Sequence, residues 1–311
     1  MTTSDPASVP DVSIGQDTGP DTTGYIDYLT TNRDFVAPAV TAAIAAIDLP
    51  SRERPRRILD AGTGGGGALP ELLRHLGPGI GSILAIDLDT RAVAIARDYA
   101  DDSRVDVRIA DLRAVAADAT EHGGPFDLIW SSDVVWPATF DDPARVVAEL
   151  AGALTPGAVL ALFTTNYYQS MFLPGHSRLE RLIRTASEIT WGLPDDGPTH
   201  YERLGTWLRQ AGLEDVTVQV MRLAAATSQP EARAYLETRV WPEMRHAGTT
   251  NGHAAGMTDG DIARAHALFD PDEPDWIGAD LDGYVVHPTL LWTGRAPDPA
   301  TTADRTDSEL A

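Results

Sequence analysis

Apolar runs of strand length alternate with amphipathic stretches of helical spacing through most of the chain. This alternation is typical of a parallel sheet that is covered by helices on both faces. The strands are predicted at residues 57–60, 82–87, 105–109, 126–130, 154–163, 215–220 and 284–293, and helices at 68–77, 90–101, 112–120, 142–152 and 200–211. The pattern predicts an α/β fold with a doubly wound sheet.

The two chain ends and two internal segments depart from this alternation. Residues 1–23 and 297–311 carry few large apolar side chains and are predicted to be disordered tails. Residues 24–56 place apolar side chains at helical spacing, which predicts an N-terminal helical lid of one or two helices. The main domain is predicted at 57–296, with helical lid insertions at about 164–199 and 223–283. Helices within these insertions are predicted at 177–187, 229–241 and 258–269.

Composition then narrows the classes of function. With 24 basic and 46 acidic residues among 311, the chain has a formal charge of −22, so nucleic acid and anionic membrane surfaces would be repelled. Every basic residue is an arginine, which excludes Schiff-base lysine chemistry and a P-loop lysine. Cysteine is absent, which excludes disulfides, thiolate catalysis and cysteine-ligated zinc. No histidine cluster suggests a metal site, and the arginine-rich run at 52–57 is predicted to be a solvated loop.

The chain also lacks the sequence signals of membrane insertion and export. No apolar stretch approaches the roughly 20 residues of a transmembrane helix. The amino-terminal residues lack the basic and apolar regions of a secretory signal. A soluble, cytoplasmic protein is therefore expected.

The most specific feature is a glycine-rich turn after the first strand, Asp60-Ala61-Gly62-Thr63-Gly64-Gly65-Gly66-Gly67. Glycine permits positive φ and a close approach of ligand to backbone, and amides at the start of the next helix can hold a polar or anionic group. Gly62, Gly64 and Gly67 also match the Gly-x-Gly-x-x-Gly fingerprint of dinucleotide-binding folds, which alone is a weak signal. Asp60 adds a carboxylate that can accept hydrogen bonds from an ammonium group, directly or through water.

Four further segments follow this turn in a fixed order. They are Asp87-Leu88-Asp89, Ala110-Asp111-Leu112 and Ser131-Ser132-Asp133 at three strand ends, and Leu154-Thr155-Pro156-Gly157-Ala158-Val159-Leu160 at the fifth strand. With the acid-x-Gly-x-Gly turn, this series over residues 57–163 resembles the class I S-adenosylmethionine-dependent methyltransferases, although Ala158 replaces the family's second glycine at the last step. The resemblance implies a mostly parallel seven-stranded sheet whose last strand runs antiparallel between the fifth and sixth.

The resemblance also implies an S-adenosylmethionine site beyond the carboxyl ends of the strands. Gly62 and Gly64 would approach the methionine part of the cofactor. Asp87 would bind the ribose hydroxyls, Asp111 would bind the adenine amino group, and Leu112 would pack on the ring. The implied cofactor contacts are Asp60, Gly62, Gly64, Asp87, Leu88, Ala110, Asp111, Leu112, Ser131, Ser132, Tyr25 and Tyr28.

Several of these residues have an alternative, purely structural role. Asp87 and Asp111 can each cap the helix that follows. The pair Ser131-Ser132 can form a plain turn. Tyr25 and Tyr28, which would fold over the cofactor as part of a lid, can instead pack the N-terminal helix.

Candidates for the chemistry lie in the insertions and after the fourth strand. Methyl transfer from a sulfonium requires alignment and exclusion of water, and a base only when the nucleophile holds its proton tightly. His176 is the preferred candidate base, although it can instead be an ordinary surface residue. Asp133 sits where the transferred methyl group should point, although it can instead have a structural role. His287, before Pro288, is interpreted as a packing residue. The residues predicted to line an apolar substrate pocket, or else to belong to the core, are Trp136, Tyr167, Tyr168 and Phe172.

The leading hypothesis is methyl transfer to an enclosed small-molecule acceptor in specialised metabolism, with no nucleic-acid or membrane partner. A second hypothesis keeps the cofactor but not methyl transfer, for example an internal cyclisation that releases methylthioadenosine, because one fold hosts many chemistries. A third is an NAD-dependent oxidoreductase, against which Asp60 and Asp111-Leu112 count. A fourth is a non-catalytic protein that binds the cofactor.

Overall fold

Strands and helices alternate along the chain as the sequence predicts. The computed structural model describes residues 22–194 and 196–299. The strands are β1 (Arg56–Ala61), β2 (Ile80–Asp87), β3 (Val105–Ile109), β4 (Phe126–Ser132), β5 (Leu154–Thr165), β6 (Glu214–Met221), β7 (Ala224–Ala226), β8 (Tyr284–Val286) and β9 (Thr289–Arg295). The helices are α1 (Thr22–Ala45), α2 (Leu69–Leu76), α3 (Thr90–Tyr99), α4 (Leu112–Ala117), α5 (Pro143–Gly152), α6 (Ser177–Trp191), α7 (Leu204–Gln210), α8 (Pro230–Tyr235), α9 (Trp241–Asn251) and α10 (Asp259–Phe269).

Seven of the strands form one sheet in the order β3-β2-β1-β4-β5-β9-β6. Strand β9 is antiparallel to both β5 and β6, and the other neighbours pair in parallel. This confirms the predicted doubly wound, mostly parallel sheet. The common dinucleotide-binding order 3-2-1-4-5-6 has no antiparallel strand inserted at this place, so the topology counts against the oxidoreductase alternative.

Helices cover both faces of the sheet and bury one apolar core on each side. Helices α1, α2 and α3 share one core with much of the two insertions. Helices α4, α5 and α7 cover the other face. Within the described residues, no helix combines the length and apolar character needed to cross a membrane.

The last predicted strand is divided in two. Residues 284–293 were expected to form one strand, but His287 and Pro288 separate β8 from β9. Proline has no N–H to donate and is confined to the margins of sheets. Strand β8 instead pairs with β7 in a separate two-stranded sheet.

The second insertion contains a π-helical turn between two helices. Residues Leu236–Val240 form this turn between α8 and α9, and the Trp241 N–H donates to the Leu236 carbonyl. Pro242 follows immediately; a proline inside a helix clashes with the carbonyl four residues earlier, and the wider turn relieves that clash. Helix α8 packs on α1 and helix α9 on α6, so the turn joins the N-terminal helix to the first insertion.

The loop before β1 is not simply solvated. Arg54 donates two hydrogen bonds of 2.8 Å to the buried carboxylate of Asp127, and Arg52 forms a second ion pair with it at 3.3 Å. The carboxylate also accepts the Arg57 N–H and the Thr155 hydroxyl. Burial acts to raise the pKa of Asp127, but these hydrogen bonds outweigh it and hold that pKa below its usual value.

We expect Asp127→Ala to lower the free energy of unfolding by about 2–3 kcal/mol at neutral pH, because it leaves a buried N–H and a hydroxyl unpaired while the arginines can reach water. Urea denaturation measures the loss. Because the folded-state pKa lies below the unfolded one, the difference from wild type should disappear as the pH falls through the folded value. Asp106→Ala, which removes an exposed ion pair with Arg108, is the control and should cost much less. Equal losses would contradict the assignment.

Candidate functional site

The glycine turn lies at the carboxyl edge of the sheet, where β1 meets β2. The N–H groups of Gly62 and Thr63 donate to the Ile86 carbonyl at 2.9 and 2.8 Å. The Gly64 N–H donates to one carboxylate oxygen of Asp87 at 2.9 Å, and the other oxygen accepts the Asp89 N–H at 3.0 Å. The Asp87 carboxylate therefore connects the turn to the end of β2 by hydrogen bonds. Asp87 itself stays partly exposed.

Gly62 is required by both conformation and space. Its φ is 82°, in the left-handed region that side chains disfavour. A Cβ at this position would lie 2.3 Å from Cγ2 of Val134, which follows β4. The turn can therefore pack against the β4 loop only with glycine at this position.

Asp60 lies beneath the turn rather than on its surface. Its side chain is 1% exposed, and the Thr63 hydroxyl donates to it at 2.7 Å. Burial raises the pKa of Asp60 to about 7, the nearby Asp87 adds to the increase, and the Thr63 hydrogen bond opposes it. A cation bound above the turn would favour the ionised form of Asp60 and lower this pKa.

The Asp60 pKa predicts a dependence of stability on pH. Because its folded-state pKa lies above the unfolded one, stability is fully present below the unfolded value and falls as the pH rises toward 7. The stability of Asp60→Asn relative to wild type should therefore increase by about 2 kcal/mol between roughly pH 5 and pH 8. Denaturant titration of both proteins at the two pH values checks this. A difference that does not change with pH would refute the raised pKa.

Two helix caps clarify the roles of the neighbouring acids. Asp89 accepts the N–H groups of Arg91 and Ala92 and caps α3, so the cap alternative for Asp87 is wrong. Asp111 accepts the Arg113 N–H at 2.8 Å and caps α4. The structural alternative therefore holds for Asp111, and its assignment to adenine stays a prediction.

The other predicted cofactor residues lie along the same edge. Ser131 and Ser132 belong to β4 rather than to a turn, and the Ser131 hydroxyl donates to the Ala61 carbonyl at 2.8 Å. Leu88, next to Asp87, is 69% exposed, whereas Leu112, the first residue of α4, is buried. Ala110, between β3 and α4, donates its N–H to the Asp87 carbonyl at 3.0 Å. The edge of β1, β2, β3 and β4 thus brings these predicted residues together.

Helix α1 covers the glycine turn. A Cβ at Gly64 would lie 3.7 Å from Cδ2 of Leu29, and one at Gly67 would lie 3.0 Å from Cγ of Arg33. Tyr25 and Tyr28 fall within α1, but their side chains lie outside the described residues. Their predicted role over the cofactor stays a prediction.

Asp133 joins the ends of β4 and β5. Its φ is 53°, and its N–H donates to the Phe163 carbonyl at 2.9 Å. The carboxylate accepts the N–H and the hydroxyl of Thr165 at 2.6 and 2.9 Å. Both carboxylate oxygens are therefore engaged with β5, as the structural alternative expects.

An aromatic cluster lies beyond the ends of β4 and β5. Trp136 and Tyr167 each place their rings against Trp191, with centroids 6.0 and 4.9 Å apart, and Tyr167 also contacts Phe172 at 5.5 Å. Three of the four predicted pocket residues are thus brought together, although Phe172 is fully buried. The side chain of Tyr168 lies outside the described residues.

The sequence interpretation missed Trp191, whereas it named His287 as a packing residue, and His287 is buried. Trp191 ends the amphipathic helix α6, so helical spacing could have placed it near the aromatic cluster. His287 lies in the gap between β8 and β9, where the Asn166 N–H donates to the Pro288 carbonyl at 2.8 Å. A proline inside a predicted strand was the available signal for that gap. His176, by contrast, makes no hydrogen bond or ring contact with the other predicted site residues in the part of the chain that the structure describes.

Comparisons with known proteins agree with this geometry. Residues 58–157 match a family model described as a methyltransferase domain. An uncharacterised protein of Synechococcus sp. is 37% identical over 114 residues, which cover 37% of this chain and 26% of that protein. A polyamine aminopropyltransferase of Halorhodospira halophila is 28% identical over 145 residues, which cover 44% of this chain and 50% of that protein. The chain thus matches half or less of the length of these curated relatives.

A solved structure shares the fold. Phosphoethanolamine N-methyltransferase 2 of Haemonchus contortus, in complex with phosphomonomethylethanolamine and S-adenosylhomocysteine, superposes with a TM-score of 0.50 at 17% identity. The alignment covers 89% of this chain and 57% of that one. The likeness to this structure is one of fold, and the family model identifies residues 58–157 as similar to a methyltransferase domain.

Proposed function

We propose that this chain transfers a methyl group from S-adenosylmethionine to a small-molecule acceptor in specialised metabolism. The observation that carries the proposal is the partly exposed Asp87 carboxylate, held by the Gly64 N–H at 2.9 Å above a turn that only glycine can form. A carboxylate fixed in this way at a strand tip suits a ribose diol.

The residues at this edge fit the cofactor. Gly62 and Gly64 leave the backbone open to the methionine part, and Asp60 supplies a buried negative charge that a cation above it would stabilise. Leu88 and Leu112 would flank the nucleoside, with Ala110 and Asp111 at the adenine and Ser131 and Ser132 behind it. When bound, S-adenosylmethionine supplies a methyl group on a positively charged sulfur.

For the transfer itself, the protein has to align the acceptor with the methyl group and exclude water from the site. Helix α1 covers the turn, and the aromatic cluster of Trp136, Tyr167 and Trp191 offers apolar surface for an acceptor. Aromatic faces also attract a cationic sulfonium. The charge of −22 disfavours a nucleic-acid acceptor, which leaves a small molecule as the favoured class.

Calorimetry with S-adenosylhomocysteine tests the cofactor assignment. We expect one molecule to bind per chain and NAD to produce no comparable heat. Incubation with S-adenosylmethionine labelled at the methyl group, together with a panel of small amines, phenols and carboxylic acids, should then yield S-adenosylhomocysteine and a labelled product. Binding of NAD but not of S-adenosylhomocysteine would overturn the proposal.

A second candidate is a reaction that uses the same cofactor class without methyl transfer. It is favoured by the similarity to a relative named for aminopropyl transfer, which extends over 44% of this chain. Such a reaction would release methylthioadenosine. Chromatography of the nucleoside product therefore separates the two candidates.

A further inference from the structure

Strand β6 forms an edge of the sheet that no other strand covers within the described residues. It is the last strand in the sheet order and pairs there with β9 alone. Val218 and Val220 are 45% and 61% exposed, and Thr217 and Gln219 are exposed as well. A strand edge of this kind presents N–H and C=O groups that can pair with a further strand.

The register with β9 shows which residues of β6 direct their backbone groups toward this edge. The His287 N–H donates to the Leu223 carbonyl at 2.8 Å, and the two residues lie opposite each other in the register that β6 and β9 share. Hydrogen-bonded and non-hydrogen-bonded pairs alternate along an antiparallel ladder. Counting back from Leu223, the residues of β6 whose N–H and C=O groups point away from β9 include Val218 and Val220.

The centre of β6 lacks the features that usually protect a strand edge. Natural edges are blocked by charged side chains, by proline or by a bulge. Residues 216–221 contain neither a charged residue nor a proline. The irregularity in the pairing with β9 lies at Asp215, whose φ is 49°, and therefore comes before the two outward-directed valines. This stretch is open to pairing.

Charge at the two ends of the strand favours a second copy of the chain as the partner. Glu214 and Asp215 lie at the start of β6, Arg222 follows its last residue, and all three are exposed; Asp215 also lies 4.0 Å from Arg295. When two copies of β6 pair antiparallel, the acidic start of each lies beside the arginine of the other, which favours that direction. The net charge of −22 opposes association elsewhere on the surface.

We propose that the chain forms a two-fold dimer in which β6 pairs antiparallel with β6 of a second copy. Val218 and Val220 are placed symmetrically about Gln219. The two-fold axis therefore passes Gln219, and Val218 of each copy exchanges hydrogen bonds with Val220 of the other. Such a contact closes on itself, because both copies use the same surface.

The dimer does not depend on the proposed methyl transfer. Strands β4, β5 and β9 separate β6 from β1, whose carboxyl end carries the glycine turn. Pairing at β6 therefore leaves the candidate cofactor site of each copy uncovered. Binding of S-adenosylhomocysteine is expected to be the same in the monomer and in the dimer.

Sedimentation velocity of the full chain between about 1 and 100 µM tests the dimer, since a single strand pair is a small interface and should dissociate in this range. Val220→Lys places an ammonium group of each copy in the uncharged centre of the contact and should weaken the dimer at least about 10-fold. Leu281→Lys is the matched control, because Leu281 is 90% exposed and lies outside β6. It should leave the dissociation constant unchanged.

Two results of this experiment would overturn the inference. One is a wild-type chain that stays monomeric throughout the range, whether the edge is open or covered by the chain's own terminal residues. The other is equal weakening by the two lysine substitutions. If S-adenosylhomocysteine failed to bind while the dimer formed, the proposed function would fail and the dimer would stand.

A single cysteine tests the position of the axis, because the chain has no cysteine of its own. The two copies of Gln219 would face each other in a non-hydrogen-bonded pair, with Cα atoms about 4.5 Å apart, which a disulfide can span. Gln219→Cys should therefore give a disulfide-linked dimer under mild oxidation, and Leu281→Cys should not. Absence of the linked dimer in Gln219→Cys, or equal linkage in both variants, would contradict this arrangement.

Charge reversal tests the direction of the strands. Arg222→Glu places an acid beside the acidic start of the other copy and should weaken the dimer. Glu214→Arg, added in the same chain, restores opposite charges at both ends and should recover part of the lost affinity. Sedimentation velocity measures both changes. A double variant that is weaker than Arg222→Glu alone would refute the antiparallel pairing.

Discussion

Replacement of Gly62 by alanine is expected to lower the free energy of unfolding by about 2–5 kcal/mol. Two costs add at this position. An L-residue at a φ of 82° is strained, and the added Cβ would lie 2.3 Å from Cγ2 of Val134, which forces the β4 loop away from the turn. Guanidinium denaturation of the two proteins measures the loss.

Gly123 supplies a matched control. Its φ is also 82°, and a Cβ there would meet nothing within 4 Å. Gly123→Ala should therefore show the conformational cost alone, about 1–2 kcal/mol. If the two variants lost the same free energy of unfolding, the close approach of Val134 to Gly62 would not contribute to the loss, and the turn would not depend on that contact.

Substitution of Asp87 by alanine should weaken binding of S-adenosylhomocysteine by at least about 100-fold. In the proposed function the carboxylate binds the ribose hydroxyls, and hydrogen bonds to a charged group contribute about 1.5–3 kcal/mol each. The same substitution removes the partner of the Gly64 N–H, so the turn also loses its attachment to β2. Calorimetric titration at constant salt measures the change.

Asp89 is the control for Asp87, since it carries the same charge two residues away. It caps α3 through the N–H groups of Arg91 and Ala92, so Asp89→Ala should cost about 1 kcal/mol of stability and leave the affinity nearly unchanged. An equal loss of affinity in both variants would mean that general negative charge, not the position of Asp87, attracts the ligand.

The order of elements could be predicted from sequence because each signal was local. A short apolar run, a glycine turn and an amphipathic helix follow one another along the chain, and side-chain periodicity is sufficient to assign them. The cap at Asp89 was also predictable, since an acid just before a helix is a local signal. For the same reason it could be predicted that the strand-end residues lie along one edge of the sheet.

The rest depends on contacts between distant parts of the chain. The pairing of Arg52 and Arg54 with Asp127 joins residues more than 70 positions apart, so the basic run looked like a solvated loop. The aromatic surroundings of His287 come from α1, from the loop after β5 and from α8. No local pattern in the sequence indicates which rings surround His287, although the interpretation of His287 as a packing residue agrees with its burial.

Helix α1 has a consequence for the kinetics. One side of it lies over the glycine turn through Leu29. The other is fastened to the second insertion, where the Thr31 hydroxyl lies 3.1 Å from that of Thr238 and the Phe35 ring stacks on Tyr235 at 4.6 Å. In the proposed function, the part of the cofactor that lies over Gly64 would sit under Leu29, so its release is expected to require movement of α1, a step that can limit turnover.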